Sequence, residues 1–244
     1  MTDDIIGENY RAVQARIAAA CHRVGRDPAS VALVAVTKYA KLDWVQRLVE
    51  LGVAELGESR PQQLVQRAQQ IAGAVHWHLI GPLQRNKVRP VLPVTRLIHS
   101  ADSLRLLDSI NRIAGELALR PRVLLEVNLS GGAARHGFGA DELLAAWPEA
   151  FKIEHLQIEG LMAMAAYSPN PEDARPAFAR LRRLRDELQT SAESTAVRLE
   201  HLSMGMTGDF EVAIEEGATL VRIGSALWDG LEQQQSHSVP EGEV

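Results

Sequence analysis

Short apolar runs alternate with amphipathic stretches along most of the chain. The clearest run covers residues 31–37 and leads directly into Lys38. Seven uncharged residues in a row predict a strand buried on both faces, as in a parallel sheet. Further strands are expected at residues 53–57, 75–80, 95–99, 122–128, 155–161, 197–201 and 219–223.

The stretches between these runs carry apolar residues at helical spacing. The first such pattern covers residues 3–24 and predicts a helix ahead of the first strand. Later helices are expected around residues 42–51, 61–71, 84–91, 104–117, 140–147, 174–188 and 210–216. Strands that alternate with helices in this way predict a parallel sheet with right-handed crossovers.

About eight strand-then-helix units make this an α/β protein, and its length of 244 residues suits one closed barrel. We therefore predict a single (β/α)8 TIM-type barrel with an extra N-terminal helix, covering residues 1–231. An open doubly wound sheet is the alternative, but its glycine fingerprint would follow the first strand, where the chain reads Thr37-Lys38-Tyr39-Ala40. The polar tail, residues 232–244, is expected to be disordered.

Composition and charge exclude several classes of partner. The net charge of -5 is spread along the chain without a block of lysine and arginine, so neither nucleic acid nor a membrane surface is indicated. No apolar run approaches the roughly 18 residues of a membrane span. The single cysteine, Cys21, excludes an internal disulfide, and the chain start lacks the pattern of a signal peptide. We expect a cytoplasmic protein.

Lys38 is the first candidate for chemistry, because barrels carry their functional residues at the C-terminal ends of the strands. A lysine there would have its stem among apolar side chains, and such burial disfavours the charged ammonium. A neutral amine is a nucleophile toward aldehydes. The alternative is an ordinary lysine whose amine reaches solvent from the end of the strand.

Two glycine-rich loops are candidates for phosphate binding. Residues 203–208 read SMGMTG after strand seven, and Gly224-Ser225 follow strand eight. Barrels of this class often bind phosphate with the loops at these two positions. The alternative is that the glycines serve ordinary turns.

Arg222 is a charge within the otherwise apolar eighth strand. It either pairs with a carboxylate such as Glu55 or Glu126, or presents donors to a ligand in the barrel mouth, and the sequence leaves both open. A lysine, a phosphate-binding loop pair and a buried arginine together suit pyridoxal 5'-phosphate. They would meet its aldehyde, its phosphate and its ring nitrogen respectively.

Several segments resemble a known family. They are VAVTKYA (34–40), ELGES (55–59), WHLIGPLQRNK (77–87), GLMAM (160–164) and LSMGMTGDFEVAIEEGATLVRIGSALW (202–228). In order and spacing they resemble the pyridoxal phosphate homeostasis protein family over nearly the whole chain. One departure is Gly57-Glu58-Ser59-Arg60, where the family usually reads Gly-Glu-Asn-Tyr, so any contact made by that asparagine is in doubt here.

The resemblance implies a barrel like the N-terminal domain of alanine racemase. It implies that pyridoxal 5'-phosphate is held as a Schiff base on Lys38, without robust catalysis. Separately, we expect the protein to be a monomer. The protein would carry or buffer the cofactor in vitamin B6 homeostasis and pass it to apoenzymes. The cofactor-binding residues implied or expected besides Lys38 are Ser203, Gly205, Met206, Thr207, Gly224 and Ser225 at the phosphate, Arg222 at the pyridine nitrogen, and His78 and Met162 in the pocket.

Two enzymatic alternatives remain. An amino-acid racemase of the alanine racemase type needs a second proton-transfer residue opposite the lysine, for which Tyr39 and Tyr167 are the candidates. A metal-dependent barrel hydrolase is suggested by His76 and His78, which share one face of strand three. No further ligands at the other strand ends complete a metal site convincingly, so no metal is expected.

Overall fold

The computed structural model describes residues 2–129, 136–150, 153–191 and 198–231. Eight parallel strands close into a barrel, each hydrogen-bonded to the next in sequence, and the eighth pairs with the first. This confirms the predicted (β/α)8 barrel. The strands are β1 Ala32–Val36, β2 Glu55–Glu58, β3 His76–Leu79, β4 Leu97–Ala101, β5 Arg122–Glu126, β6 Gln157–Met162, β7 His201–Ser203 and β8 Leu220–Ile223.

Helices surround the barrel and cover the outer faces of the strands. They are α1 Thr2–Arg23, α2 Leu42–Glu50, α3 Pro61–Gln70, α4 Val88–Val91, α5 Leu104–Glu116, α6 Ala140–Ala150, α7 Arg175–Ser191 and α8 Phe210–Glu215. The extra N-terminal helix is present as predicted. It packs against α2 and α8, and Asn9 on it donates to the carbonyls of Leu227 and Asp229.

Alternation along the strands produces two separate apolar cores. The larger core lies between the strands and the helices and includes Leu33, Ala35, Val221 and Ile223. The smaller core fills the inside of the barrel and consists of Val34, Leu97, Leu124, Met162 and Leu220. Buried polar residues also lie inside the barrel, among them His78, His99, Ser203 and Arg222.

The strand ends differ from the sequence prediction at two places that matter. β1 ends at Val36, so Lys38 lies beyond the strand. β7 covers His201–Ser203, whereas the prediction of 197–201 placed Ser203 in the following loop. Residue 197 and the predicted disordered tail, residues 232–244, lie outside the described residues.

Gly160 allows β6 and β7 to approach each other closely. A Cβ atom at this position would lie 1.9 Å from the carbonyl oxygen of His201. The pairing of these two strands therefore depends on the absence of a side chain, and it sets the position of β7 beside the barrel mouth.

Membrane insertion finds no support in the helices. Across the described ranges, none is both long enough and apolar enough to cross a lipid bilayer.

Candidate functional site

Two adjoining cavities open at the C-terminal ends of the strands. The larger has a volume of about 580 Å³ and extends toward Glu126 and Asn128. The smaller has a volume of about 430 Å³ and extends toward Ser225 and Trp228. Both are lined by Val36, Lys38, Ala165, Tyr167, Met206 and Arg222, so they form one continuous site at the barrel mouth.

Lys38 lies at the corner of a tight turn that follows β1. The turn is closed by a hydrogen bond of 2.9 Å from the Ala40 amide to the Thr37 carbonyl. Lys38 is exposed at the cavity wall, and its Nζ atom lies 4.9 Å from the centre of the Tyr39 ring. The expectation that its stem is buried among apolar side chains was wrong, because the strand ends two residues earlier.

The residues that flank Lys38 and Tyr39 are held from behind the sheet. The hydroxyl of Thr37 donates to buried Glu58 over 3.3 Å, and Arg67 of α3 donates to the Ala40 carbonyl over 2.8 Å. Arg67 and Glu58 themselves lie 3.4 Å apart as an ion pair. The exposed lysine therefore projects from a turn that is fixed at both ends.

Arg222 forms the floor of the site and is only 4% exposed. Its Nη1 donates to the Ser203 hydroxyl over 2.5 Å and its Nη2 to the Ala163 carbonyl over 3.1 Å. Burial lowers the pKa of the guanidinium to about 10, against the opposing charges of Asp209 and Glu126. It remains charged at neutral pH. Among the described residues, no carboxylate forms an ion pair with it, so the carboxylate pairing that the sequence left open is absent there.

The two glycine-rich loops meet at the smaller cavity. Thr207, Gly224 and Ser225 line it, together with Met206. Gly205 has a φ of +92°, and a Cβ atom there would lie 2.6 Å from Ala213. Glycine is therefore required for the loop to turn back against α8, and its carbonyl accepts the Arg222 amide over 3.0 Å.

Four of the predicted site residues do not line either cavity. Ser203 and Met162 are strand residues whose side chains lie inside the barrel, and His78 lies deeper still, beside His99 and Glu55. Gly205 lies behind the cavity wall. Lys38, Met206, Thr207, Arg222, Gly224 and Ser225 are the predicted residues that the fold brings together.

Three residues that the sequence analysis did not assign to the cofactor also line the site. Ser59 follows β2 and faces the larger cavity, so the position at which the chain departs from the family pattern does line the site. Glu126 lines the same cavity, and burial with the nearby charge of Asp102 raises the pKa of its carboxyl. Trp228 lines the smaller cavity, and its indole donates to the Val36 carbonyl over 2.9 Å. Ser59 and Glu126 lie at or just after the end of a strand, which is the signal that could have identified them, whereas Trp228 lies five residues after the end of β8.

The two histidines of β3 contact a carboxylate. Glu55 lies 2.8 Å from His76 Nδ1 and 2.5 Å from His78 Nε2. His76 lies at the opposite end of the barrel from the cavities and is partly exposed, whereas His78 is the deeper of the two. In the part of the chain that the structure describes, no group of three or more histidine, cysteine, aspartate or glutamate side chains could hold a metal ion.

The structure is a closed (β/α)8 barrel with one functional cavity at its mouth. A lysine after the first strand and an arginine on the last strand both line this cavity. The family model described as the N-terminal domain of alanine racemase matches residues 8–231. The pyridoxal phosphate homeostasis protein of Aquifex aeolicus is 38% identical over 222 residues, which are 91% of this chain and 96% of that protein.

Solved structures agree with this match. PipY of Synechococcus elongatus, determined with PLP bound, is 34% identical with a TM-score of 0.77, over 86% of this chain and 99% of that chain. An unknown protein from Bifidobacterium adolescentis is 35% identical with a TM-score of 0.87, over 93% and 95% of the two chains. The chain belongs to the alanine racemase N-terminal domain family and, within it, to the pyridoxal phosphate homeostasis proteins.

Proposed function

We propose that this protein binds pyridoxal 5'-phosphate at the barrel mouth through a covalent bond to Lys38, and that it carries or buffers the cofactor without robust catalysis. The observation that carries the proposal is the position of Lys38 and Arg222, which come from opposite ends of the sequence and line one cavity with Thr207 and Ser225. The homeostasis relatives and the PLP-bound neighbour support it.

The residues at the site fit this group. The cofactor supplies an aldehyde, which condenses with a primary amine with loss of water. Lys38 supplies that amine from a fixed turn. The hydroxyls of Thr207 and Ser225 and the backbone of Gly224 suit the phosphate.

Arg222 determines how reactive the bound group would be. Its guanidinium is a permanent positive charge and a donor, so a ring nitrogen that faces it would stay unprotonated. An unprotonated ring withdraws electrons less strongly, which disfavours carbanion chemistry. This favours a carrier over an enzyme.

The covalent link is tested by borohydride reduction and peptide mass mapping. The protein loaded with pyridoxal 5'-phosphate should absorb in the violet region, and reduction should fix the mass of the cofactor on the peptide that contains Lys38. Lys38→Ala should lose both signals. Lys41→Ala is the matched control, because Lys41 lies three residues away and packs over the Trp44 ring. An undiminished, reducible band in the Lys38 variant would remove Lys38 from the proposal.

A second experiment separates the carrier from a racemase. Tyr39 and Tyr167 line the smaller cavity with Lys38, so racemisation of L-alanine and L-serine should be measured directly. A carrier should show slow or no turnover and should activate an excess of apoenzyme as its cofactor leaves. Turnover above about 1 per second, within the ordinary range of enzymes, would favour the racemase.

We propose that this carrier is located in the cytoplasm. The apoenzymes that receive its cofactor would be in the same compartment. A free thiol suits a reducing compartment, and Cys21 is free and buried.

A further inference from the structure

A continuous line of hydrogen bonds crosses the inside of the barrel from Arg222 to Glu55. Arg222 Nη1 lies 2.5 Å from Ser203 Oγ, which lies 2.8 Å from His99 Nδ1. His99 Nε2 lies 2.8 Å from His78 Nδ1, and His78 Nε2 lies 2.5 Å from Glu55 Oε2. The line therefore connects the floor of the cavity to a carboxylate near the far end of the barrel.

The middle of this line is shielded from water. Ser203 and His99 are fully buried and His78 is 2% exposed, whereas the Glu55 side chain is 30% exposed. The five residues come from β8, β7, β4, β3 and β2. These residues lie far apart in the sequence, and only the fold brings them together. Buried polar groups at these positions need their partners, because an unpaired polar group in the interior is costly.

The two ends of the line determine the direction of its outer hydrogen bonds. A guanidinium only donates, so the Ser203 oxygen accepts from Arg222. A carboxylate only accepts. Burial by itself would raise the pKa of Glu55, but hydrogen bonds from His78 and His76 outweigh it and hold the pKa at about 2. Glu55 therefore accepts from the Nε2–H of His78.

With one proton on each ring, the protons between these ends have one consistent arrangement. His78 uses its proton on Nε2, so its Nδ1 accepts from the Nε2–H of His99. The Nδ1 of His99 accepts in turn from the hydroxyl of Ser203. Burial is the largest cause that holds the pKa of His99 well below its ordinary value, which keeps this ring neutral.

We propose that Glu55, His78, His99 and Ser203 form one relay that positions Arg222 at the cavity floor, with both imidazoles held as Nε2–H tautomers. Glu55 anchors the relay, and its negative charge orients each dipole so that an oxygen lone pair faces the guanidinium. These four side chains are positioning residues and not catalytic residues, because they act on a ligand only through Arg222.

The relay adds to the charges of Asp209 and Glu126 in compensating the buried guanidinium, with which no carboxylate of the described residues forms an ion pair. Among the described residues, only the Ser203 hydroxyl and the Ala163 carbonyl accept from the outer nitrogens of Arg222. A neutral hydroxyl alone compensates a buried cation weakly, whereas a polarised chain that ends in an anion compensates it more strongly. The inference deepens the proposed function, because Arg222 is the residue that would face the ring nitrogen.

The first test uses the protein without cofactor and reads the tautomers directly. Nitrogen NMR of histidine-labelled protein at neutral pH should show His78 and His99 protonated on Nε2 and unprotonated on Nδ1. A Nδ1–H tautomer or a doubly protonated ring at either residue would overturn the relay. This result does not depend on cofactor binding, so it stands apart from the test of Lys38.

Variants then test the two ends. Ser203→Ala removes the donor to His99 and should let that ring exchange between tautomers, and Ser203→Thr, which returns the hydroxyl, should restore the single tautomer. Glu55→Gln removes the anion and should release both rings. Glu159→Gln is the matched control, because Glu159 pairs with Arg122 over 2.5 Å within the same barrel and outside the relay. Tautomers that stay fixed in both Ser203→Ala and Glu55→Gln would refute the proposal.

The same variants should affect the site itself. Glu55→Gln and Ser203→Ala should each weaken pyridoxal 5'-phosphate binding three- to tenfold, with partial recovery in Ser203→Thr. If the wild type binds the cofactor on Lys38 and both variants bind it with the affinity of the wild type, the relay fails while the proposed function stands. If Lys38 takes up no cofactor, the proposed function fails while the tautomers still decide the relay. Should Glu55→Gln not fold, the Ser203 pair gives the answer alone.

Discussion

Acid should destabilise this protein through His99 well before its carboxylates are protonated. His99 is fully buried, and this burial is the largest cause that lowers its pKa well below 6.5. The unfolded chain therefore binds a proton near pH 6.5 that the folded chain does not bind. Stability is fully present above pH 6.5 and is lost as the pH falls, at about 1.4 kcal/mol per pH unit.

The magnitude follows from the one proton that separates the two states. Between pH 7 and pH 5 the free energy of unfolding should fall by about 2 kcal/mol on account of His99. Burial lowers the pKa of His201 as well, which adds in the same direction, and the raised pKa of Glu126 opposes it. Glu55 contributes only below about pH 4.5. A comparison of two proteins that differ only at residue 99 isolates the contribution of His99 to the pH dependence of the free energy of unfolding.

The assay is urea denaturation at pH 5, 6 and 7, followed by tryptophan fluorescence. His99→Gln keeps a donor and an acceptor but cannot be protonated, so its stability should vary with pH by about 2 kcal/mol less than that of the wild type. Only the difference between pH values matters, whatever the stability of the variant at pH 7. His22→Gln, at an exposed histidine, should follow the wild type. Parallel curves for His99→Gln and the wild type would refute the reasoning.

Two further substitutions test the fold and the site. Gly160→Ala should lower the free energy of unfolding by roughly 3 kcal/mol or more in the same denaturation assay, because its Cβ would collide with the His201 carbonyl, whereas Gly208→Ala meets open space and should change it little. Equal stability of the two variants would contradict the close approach of β6 and β7. Ser225→Ala should weaken pyridoxal 5'-phosphate binding by about 1.5–3 kcal/mol, or ten- to a hundredfold, through loss of a charge-assisted hydrogen bond. An unchanged dissociation constant in titration would move the phosphate elsewhere.

The sequence predicted the barrel because local patterns carry that information. The periods of strands and helices depend only on neighbouring residues, and eight alternations of the two leave few topologies. The same logic placed Lys38, Thr207, Arg222 and Ser225 at the mouth, since the C-terminal ends of parallel strands meet on one side. Six of the predicted site residues line the cavities for this reason.

Only the tertiary structure decided where each strand ends, and with it the direction of the side chains near that end. A shift of two residues in β7 made Ser203 a strand residue, and alternation then directed its side chain into the barrel and away from the loop. The end of β1 at Val36 likewise exposed Lys38 on a turn. Such ends are set by hydrogen bonds to the neighbouring strands and not by the local pattern.

The sequence by itself determined the order of elements, the closed barrel and the side on which its chemistry lies. Only the tertiary structure decided that Arg222, Ser203, His99, His78 and Glu55 are connected across the interior. These residues are separated by up to 167 positions, from Glu55 to Arg222, and no periodicity relates them. Their contact arises from barrel closure, which brings side chains from distant strands within hydrogen-bonding distance of one another in a space that water does not reach.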